Sequence, residues 1–300
     1  MIKSKLTTGD AIFNMINYAV FIAYTVLCIF PFYYIFINTI SANDLAAKGR
    51  ILFYPQGIHL GNYVKVLSMR GLPMAAFVTL SRTILGTFLS TVCTAFVAFA
   101  LSKNELWHRK LWYRFFIVTM YFNAGIIPWY INMKNLGMTN NFLAYIIGVI
   151  SPFNLILIKT YIESLPASLQ ESAEIDGAGY LTLYFRILMP LCTPILATVA
   201  VFSSVGHWNS FMDTVFLMND SRLFTLQFLL WRYLNEATAL AAAMRSAAAQ
   251  GRTVVMPNVE LTTTSVKMTI SMVVVMPILF VYPFFQRYFV KGIMIGAIKG

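Results

Sequence analysis

The side chains able to do chemistry are few, and they sit in apolar surroundings. Between positions 203 and 213 the chain carries Ser203, Ser204, His207, Trp208, Asn209 and Asp213, while Asn123 and Asn154 stand in other apolar stretches. These are hydrogen-bonding and aromatic groups rather than a catalytic set. A polar side chain in a bilayer is costly unless it faces protein or a water-filled path. The cluster therefore serves either hydrogen bonding between helices or contact with a polar solute, and the residue types leave both open. Metal chemistry has little support, because His59, His108 and His207 lie on separate segments without ligand spacing. There is no Gly-x-x-x-x-Gly-Lys-Ser/Thr loop to cradle phosphates, no Leu-Ser-Gly-Gly pattern, no His-Glu-x-x-His and no paired-carboxylate motif. The chain is read as a non-enzyme that binds no cofactor or metal of its own.

Membrane helices must position these groups. The 300 residues are 59% hydrophobic and only 11% charged, too apolar for an ordinary soluble domain. Crossing the hydrocarbon takes about 20 apolar residues in a helix, and six stretches qualify or nearly so: 11–40, 73–101, 111–132, 142–162, 191–218 and 264–290. In lipid each backbone amide needs a partner within its own segment, which favours helices; the period-two alternation of a membrane barrel is absent. The expected fold is all-α, one membrane domain over 1–300. The first stretch is too long for a cleavable signal core and reads as a retained span. Cys28, Cys93 and Cys192 fall inside spans as core thiols. Arg82, near the start of the second span, is expected to snorkel to the outer interface. Asp213 lies near the outer end of its span as the only acid there. With no charged pair and no repeated halves evident, an ion-coupled secondary transporter acting alone is the disfavoured alternative.

The net charge of +11 flanks and connects the spans, pointing to lipid headgroups rather than nucleic acid. Lys3, Lys5, Lys103, Arg109, Lys110, Arg287, Lys291 and Lys299 lie in the tails and a short loop, while most charges of opposite sidedness lie in long loops. Weighting short loops places both termini in the cytoplasm. The 41–72 connection holds the turn Tyr54-Pro55-Gln56-Gly57 and an amphipathic piece from His59 to Met69; residues 222–250 are good helix formers ending before Gly251.

The connection 163–190 differs in kind. It concentrates Glu163, Glu171, Glu174 and Asp176. Pro166 suits a first helical turn, Leu165, Leu169 and Ala173 make a narrow apolar stripe, and Gly177 and Gly179 break the helix before a second one, Tyr180 to Leu188. Two short helices at a glycine turn form a compact knob shaped for another protein's groove. Because Pro190 opens the next span, the knob is joined covalently to the membrane helices.

Within it, Glu171-Ser172-Ala173, three residues, Gly177, nine residues and Ile187-Leu188-Met189-Pro190 resemble the loop motif of ABC importer permeases: Glu-Ala-Ala, three residues, Gly, nine residues, Ile-x-Leu-Pro. The departures, Ser172 and Met189, are mild. Leu165-Pro166-Ala167-Ser168-Leu169, Ile175-Asp176-Gly177-Ala178 and Trp208-Asn209 resemble the maltose-permease-like, oligosaccharide branch. Gly125-Ile126-Ile127-Pro128, Leu136-Gly137-Met138-Thr139-Asn140 and the terminal run from Tyr282 to Gly292 and on to Lys299-Gly300 are similar to complex-oligosaccharide permeases of Gram-positive bacteria. The resemblance covers nearly the whole chain. It implies a six-helix type I importer permease in the bacterial cell membrane whose coupling helix, with Glu171, Ser172, Ala173, Asp176, Gly177, Ala178, Ile187 and Pro190, meets an ATPase. It further implies a second homologous permease, two ATPase subunits carrying ATP and Mg, an extracellular solute-binding lipoprotein and an oligosaccharide substrate, for which the polar cluster would be the path.

Overall fold

The computed structural model describes residues 8–148, 150–249 and 263–297; Lys3, Lys5, Lys299 and Gly251 of the sequence reading lie outside them. Among the described residues every regular element is helical. In order these are α1 (Thr8–Thr39), α2 (Asn43–Ala47), α3 (Gly61–Leu67), α4 (Leu72–Ser102), α5 (Arg109–Tyr121), α6 (Ile126–Asn135), a 3-10 turn (Phe142–Tyr145), α7 (Pro152–Ser164), α8 (Ala167–Ile175), α9 (Tyr180–Thr182), a π-helical turn (Leu183–Leu188), α10 (Met189–Leu191), α11 (Thr193–Asn209), α12 (Met212–Leu217), a second 3-10 turn (Ser221–Leu223), α13 (Leu226–Ala249) and α14 (Thr263–Ala297).

Among the described residues, α1 and α4 are the single helices long and apolar enough to cross a membrane, with a third candidate if the bent pair Tyr180–Leu191 and Thr193–Asn209 counts as one. The stretch 111–132 is not continuous: Gly125 adopts φ +88° and Asn123 accepts its N–H at 2.9 Å, so the chain turns between α5 and α6. Pro128 fits directly after, in the first turn of α6, where a missing N–H has no cost. The stretch 142–162 starts as a 3-10 turn and becomes an α-helix only at Pro152, again a helix-opening proline. The stretch 191–218 breaks at Ser210 between α11 and α12. Only 264–290 lies within one further helix, α14, despite Pro277 and Pro283.

The chain divides into two units, Met1–Met69 with Tyr233–Val275, and Arg70–Arg232 with Met276–Gly300. In the first, the connection after α1 is stitched back onto the end of that helix. Asn38 donates to the Ile51 carbonyl at 3.2 Å, Asn62 donates to the Thr39 carbonyl at 2.9 Å, and Ile37, Ala46 and Ile51 form a small core. The predicted turn is present, and Gly57 (φ +64°) is required there: a Cβ would stand 2.9 Å from that of Ala42.

In the second unit α4 packs along α11 and α7. Its buried face runs through small residues, Gly86, Ser90, Thr94, Ala95 and Ala98, which lets helix axes approach closely where no water competes for contact. One core joins Ala98, Phe99 and Leu101 of α4, Leu155, Ile158 and Ile162 of α7, Ala173 of α8, Leu183, Tyr184 and Leu188 of the π-helical turn, and Ile195 and Val199 of α11. The connection 163–190 is thus packed into the same core as the helices it joins.

Candidate functional site

A cavity of about 400 Å³ opens among α4, α6, α7 and α11, and its lining includes Asn154, Ser203, His207 and Asp213 from the predicted polar set. The lining adds Arg82, Ser90, Trp129, Tyr145, Ser151 and Ser210, which sequence reading did not select. The remaining predicted residues have other employment. Asn123 caps the turn before α6, Ser204 donates to the Val201 carbonyl of its own helix at 2.9 Å, Trp208 is buried, and the Asn209 side-chain oxygen accepts from Gln227 at 3.0 Å.

Arg82 does not snorkel. It is 2% exposed and donates through Nη2 to Asp213 Oδ2 at 2.5 Å and through Nη1 to Asp213 Oδ1 and the Ser210 carbonyl, each at 3.2 Å. Its guanidinium also lies 4.3 Å from the centre of the Tyr145 ring. A planar cation meeting a carboxylate two-pronged, with an aromatic face beneath, is satisfied internally and gains nothing by reaching for the interface. The expectation that the spans lack a charged pair is corrected with it. Around the pair the polar groups close a network: Tyr145 donates to the Leu223 carbonyl at 2.6 Å and lies 3.0 Å from the Thr214 hydroxyl, which lies 3.2 Å from that of Thr225. Further along the cavity, Asn154 Nδ2 lies 3.5 Å from Ser203 Oγ. Hydroxyls, an amide, an indole and an ion pair around one space suit a polar solute with many hydroxyl groups.

At the other end of α4 stands the 163–190 knob. Pro166 stands just before α8 rather than within its first turn, and makes no side-chain cap. At its far end Gly177 takes φ +78°, its N–H donates to the Glu174 carbonyl at 3.0 Å, and Ala178 N–H donates to the Ala173 carbonyl at 2.9 Å. That pair of bonds is the Schellman closure, which needs a left-handed residue at this position. No atom lies within 4 Å of where a Cβ would be, so conformation rather than space demands the glycine. Of the expected stripe Ala173 is buried and Leu165 packs half-buried against the core, while Leu169 is exposed; Ile175, outside the stripe, is 86% exposed. Glu171, Ser172, Asp176 and Pro190 are exposed, and Ala178 and Ile187 half-buried.

Basic residues fix the knob to its neighbours. Lys103, just past α4, donates to Gln170 at 2.8 Å and lies 3.7 Å from Glu174. Glu163 is held by Arg109 and by Lys159, the latter at 2.7 Å, and Arg109 also donates to the Leu101 carbonyl at 2.8 Å. Glu163 is exposed but doubly paired, tying the start of the loop to α5 and α7. The second arm, Tyr180–Leu191, meets α11 at 80°. Pro190 and Pro194 cannot donate backbone bonds; the widened π-helical turn absorbs the first, and the Thr193 hydroxyl satisfies the Pro190 carbonyl at 2.7 Å.

Comparison with known proteins places this architecture. Residues 69–295 match the family described as binding-protein-dependent transport system inner membrane component. The polygalacturonan/rhamnogalacturonan transport system permease protein YtcP of Bacillus subtilis (strain 168) is 29% identical over 292 residues, covering 97% of this chain and 99% of the relative. Protein LplC of the same organism is 32% identical over 295 residues, covering 98% and 97%. A chain from the crystal structure of a bacterial ABC transporter involved in the import of the acidic polysaccharide alginate matches with a TM-score of 0.82 at 27% identity, over 96% of this chain and 100% of that one. With the family matched over most of its length and the type I fold shared, the chain belongs to the binding-protein-dependent transport system inner membrane components, as a permease subunit whose ATPase is a separate polypeptide.

Proposed function

We propose that this permease carries oligosaccharides across the bacterial cell membrane, driven by ATP hydrolysed on two partner subunits that dock on loop 163–190. The observation that carries the reading is the construction of that loop. It offers Glu171, Ser172 and Asp176 to solvent while its base shares a core with α4, α7 and α11, so a displacement of the knob must move the helices. A carbohydrate cargo is supported by relatives whose names specify polygalacturonan/rhamnogalacturonan and alginate, and by the hydroxyl-rich cavity. Asn154, Ser203, His207 and Asp213 line the solute path in this reading, while Asn123, Ser204, Trp208 and Asn209 serve structure.

The whole of 1–300 acts as one transmembrane domain of six spans, some of them broken, with both termini cytoplasmic. It pairs with a second homologous permease and receives substrate from an extracellular solute-binding lipoprotein; ATP and Mg belong to the ATPase subunits. An ion-coupled carrier would have to use the Arg82–Asp213 pair, and family membership disfavours it.

Glu171→Lys and Gly177→Val are expected to abolish uptake and substrate-stimulated ATP hydrolysis by the assembled transporter with membrane insertion intact, whereas Gly177→Asn, which tolerates the left-handed conformation, retains much of both. Full uptake in Glu171→Lys and Gly177→Val would refute docking at this loop.

A further inference from the structure

Alongside the first turns of α5 runs an open groove of about 780 Å³ lined by cationic and apolar side chains, with no acidic one among them. Lys110 and Arg114 are four residues apart and project from one side of the helix. Both are exposed and, among the described residues, make no hydrogen bond or ion pair, in contrast to Arg109, which Glu163 engages. Two like charges placed side by side disfavour the helix unless an anion covers them. His108 adds a third polar contact at the mouth. It precedes α5 with φ +51°, and no side chain caps the helix, so the positive end of the helix dipole opens on the same spot.

Beside this cationic row lies a second row of different chemistry. Leu111, Phe115 and Val118 follow at helical spacing and are each more than half exposed. They lead away from the charges along the membrane-entering part of α5. Trp107 and Trp112, both exposed, flank the charged end, as indoles do at the headgroup level.

We propose that this groove is a binding site for an anionic phospholipid of the leaflet facing the 163–190 loop. Its phosphate sits on Lys110, Arg114 and His108, and an acyl chain lies along Leu111, Phe115 and Val118. The charges select the headgroup and the apolar row selects a lipid over a soluble phosphate; neither feature alone accounts for the other. The leaflet follows from Arg109, which joins this end of α5 to Glu163 at the start of the loop.

The test uses the intact purified transporter in detergent and reads its thermal transition as lipid is added. Phosphatidylglycerol is expected to raise the midpoint, and phosphatidylcholine and glycerol 3-phosphate to leave it unchanged. In the surface variant Lys110→Gln/Arg114→Gln, about twenty-five-fold more phosphatidylglycerol is needed for the same rise, from roughly a five-fold loss per basic residue, while the lipid-free midpoint does not fall below the wild-type value. Phe115→Ser weakens the effect yet keeps the preference for phosphatidylglycerol over phosphatidylcholine. The proposal is overturned if both lipids act alike, if glycerol 3-phosphate matches phosphatidylglycerol, if the double variant responds as wild type, or if a cross-linker on position 110 captures a transporter subunit with lipid still present. None of these readouts depends on the cargo or on coupling, so the site and the transport reading stand or fall separately.

Discussion

Arg82 and Asp213, 131 residues apart, form a two-pronged ion pair that ties α4 to the break between α11 and α12. Removing one partner leaves a buried charge uncompensated, which costs about 3–5 kcal/mol. Arg82→Leu and Asp213→Asn are each expected to lower the yield of folded permease and its thermal midpoint sharply. The double variant Arg82→Leu/Asp213→Asn recovers a large part of the loss. Midpoints of the four proteins give the coupling directly, and strict additivity would show that the pair is not a unit.

Gly86 owes its identity to His207. A Cβ on Gly86 would lie 2.5 Å from Cε1 and 2.6 Å from Nε2 of the ring, so Gly86→Ala must push the imidazole away from α4. Overpacking of this kind costs about 1–3 kcal/mol, and with His207 lining the cavity it also reshapes that space. The thermal midpoint is expected to fall in Gly86→Ala and to be partly restored by adding His207→Ala. No restoration by the second change would place the defect elsewhere.

Tyr184 sits in the core beneath the knob, its ring 5.5 Å from that of Phe96 and 5.2 Å from that of Phe99, while its hydroxyl has no hydrogen-bond partner among the described residues. A buried hydroxyl left unpaired is a cost. Tyr184→Phe is therefore expected to be neutral or stabilising, and Tyr184→Ala to lose about 3–5 kcal/mol through the cavity it leaves. Thermal midpoints separate the two. A strongly destabilised Tyr184→Phe would reveal a partner for the hydroxyl in the assembly.

In the connection after α12, Asp220 accepts from Arg222 through both side chain and backbone, and these hydrogen bonds hold its carboxyl below the usual carboxylate range. The order they confer is present above the ordinary carboxylate pKa and is lost as pH falls through the lowered folded value. The protection of the Arg222 amide, its exchange rate relative to the intrinsic rate at each pH, is expected to hold at neutral pH and to fall only in that acidic window. Asp220→Ala abolishes the protection at every pH; an amide equally protected in that variant would remove the carboxylate from the account.

The knob was legible because its signals are local. Glycine at a helix end, proline at helix starts and a fixed spacing from Glu171 to Pro190 are written within a few turns of chain, and the closure at Gly177 follows from them. Half of the polar cluster was legible for a similar reason: Ser203 and His207 are four residues apart, so both fall on one face of α11 beside the cavity. The fate of Arg82 was not, since a charge near a span end reads as interfacial until a partner far along the sequence is known. The turn at Asn123 was not legible because hydropathy runs through it, although its side-chain oxygen closes a turn with Gly125. Tyr145 and Trp129 carried no signal, being aromatic residues in an aromatic-rich chain.

Under the proposed coupling, the 80° corner at Cys192 turns two helices into a bell crank. At about 1.5 Å per residue, the 17 residues of α11 give an arm of about 26 Å, against less than about 20 Å for Tyr180–Leu191. A shove of about 2 Å on the shorter limb swings the far tip by roughly 3 Å, and that tip is where the Ser210 carbonyl meets Arg82. The ion pair is thus fastened at the point of greatest throw, so the latch that holds the cavity's edge is the first contact such a lever strains.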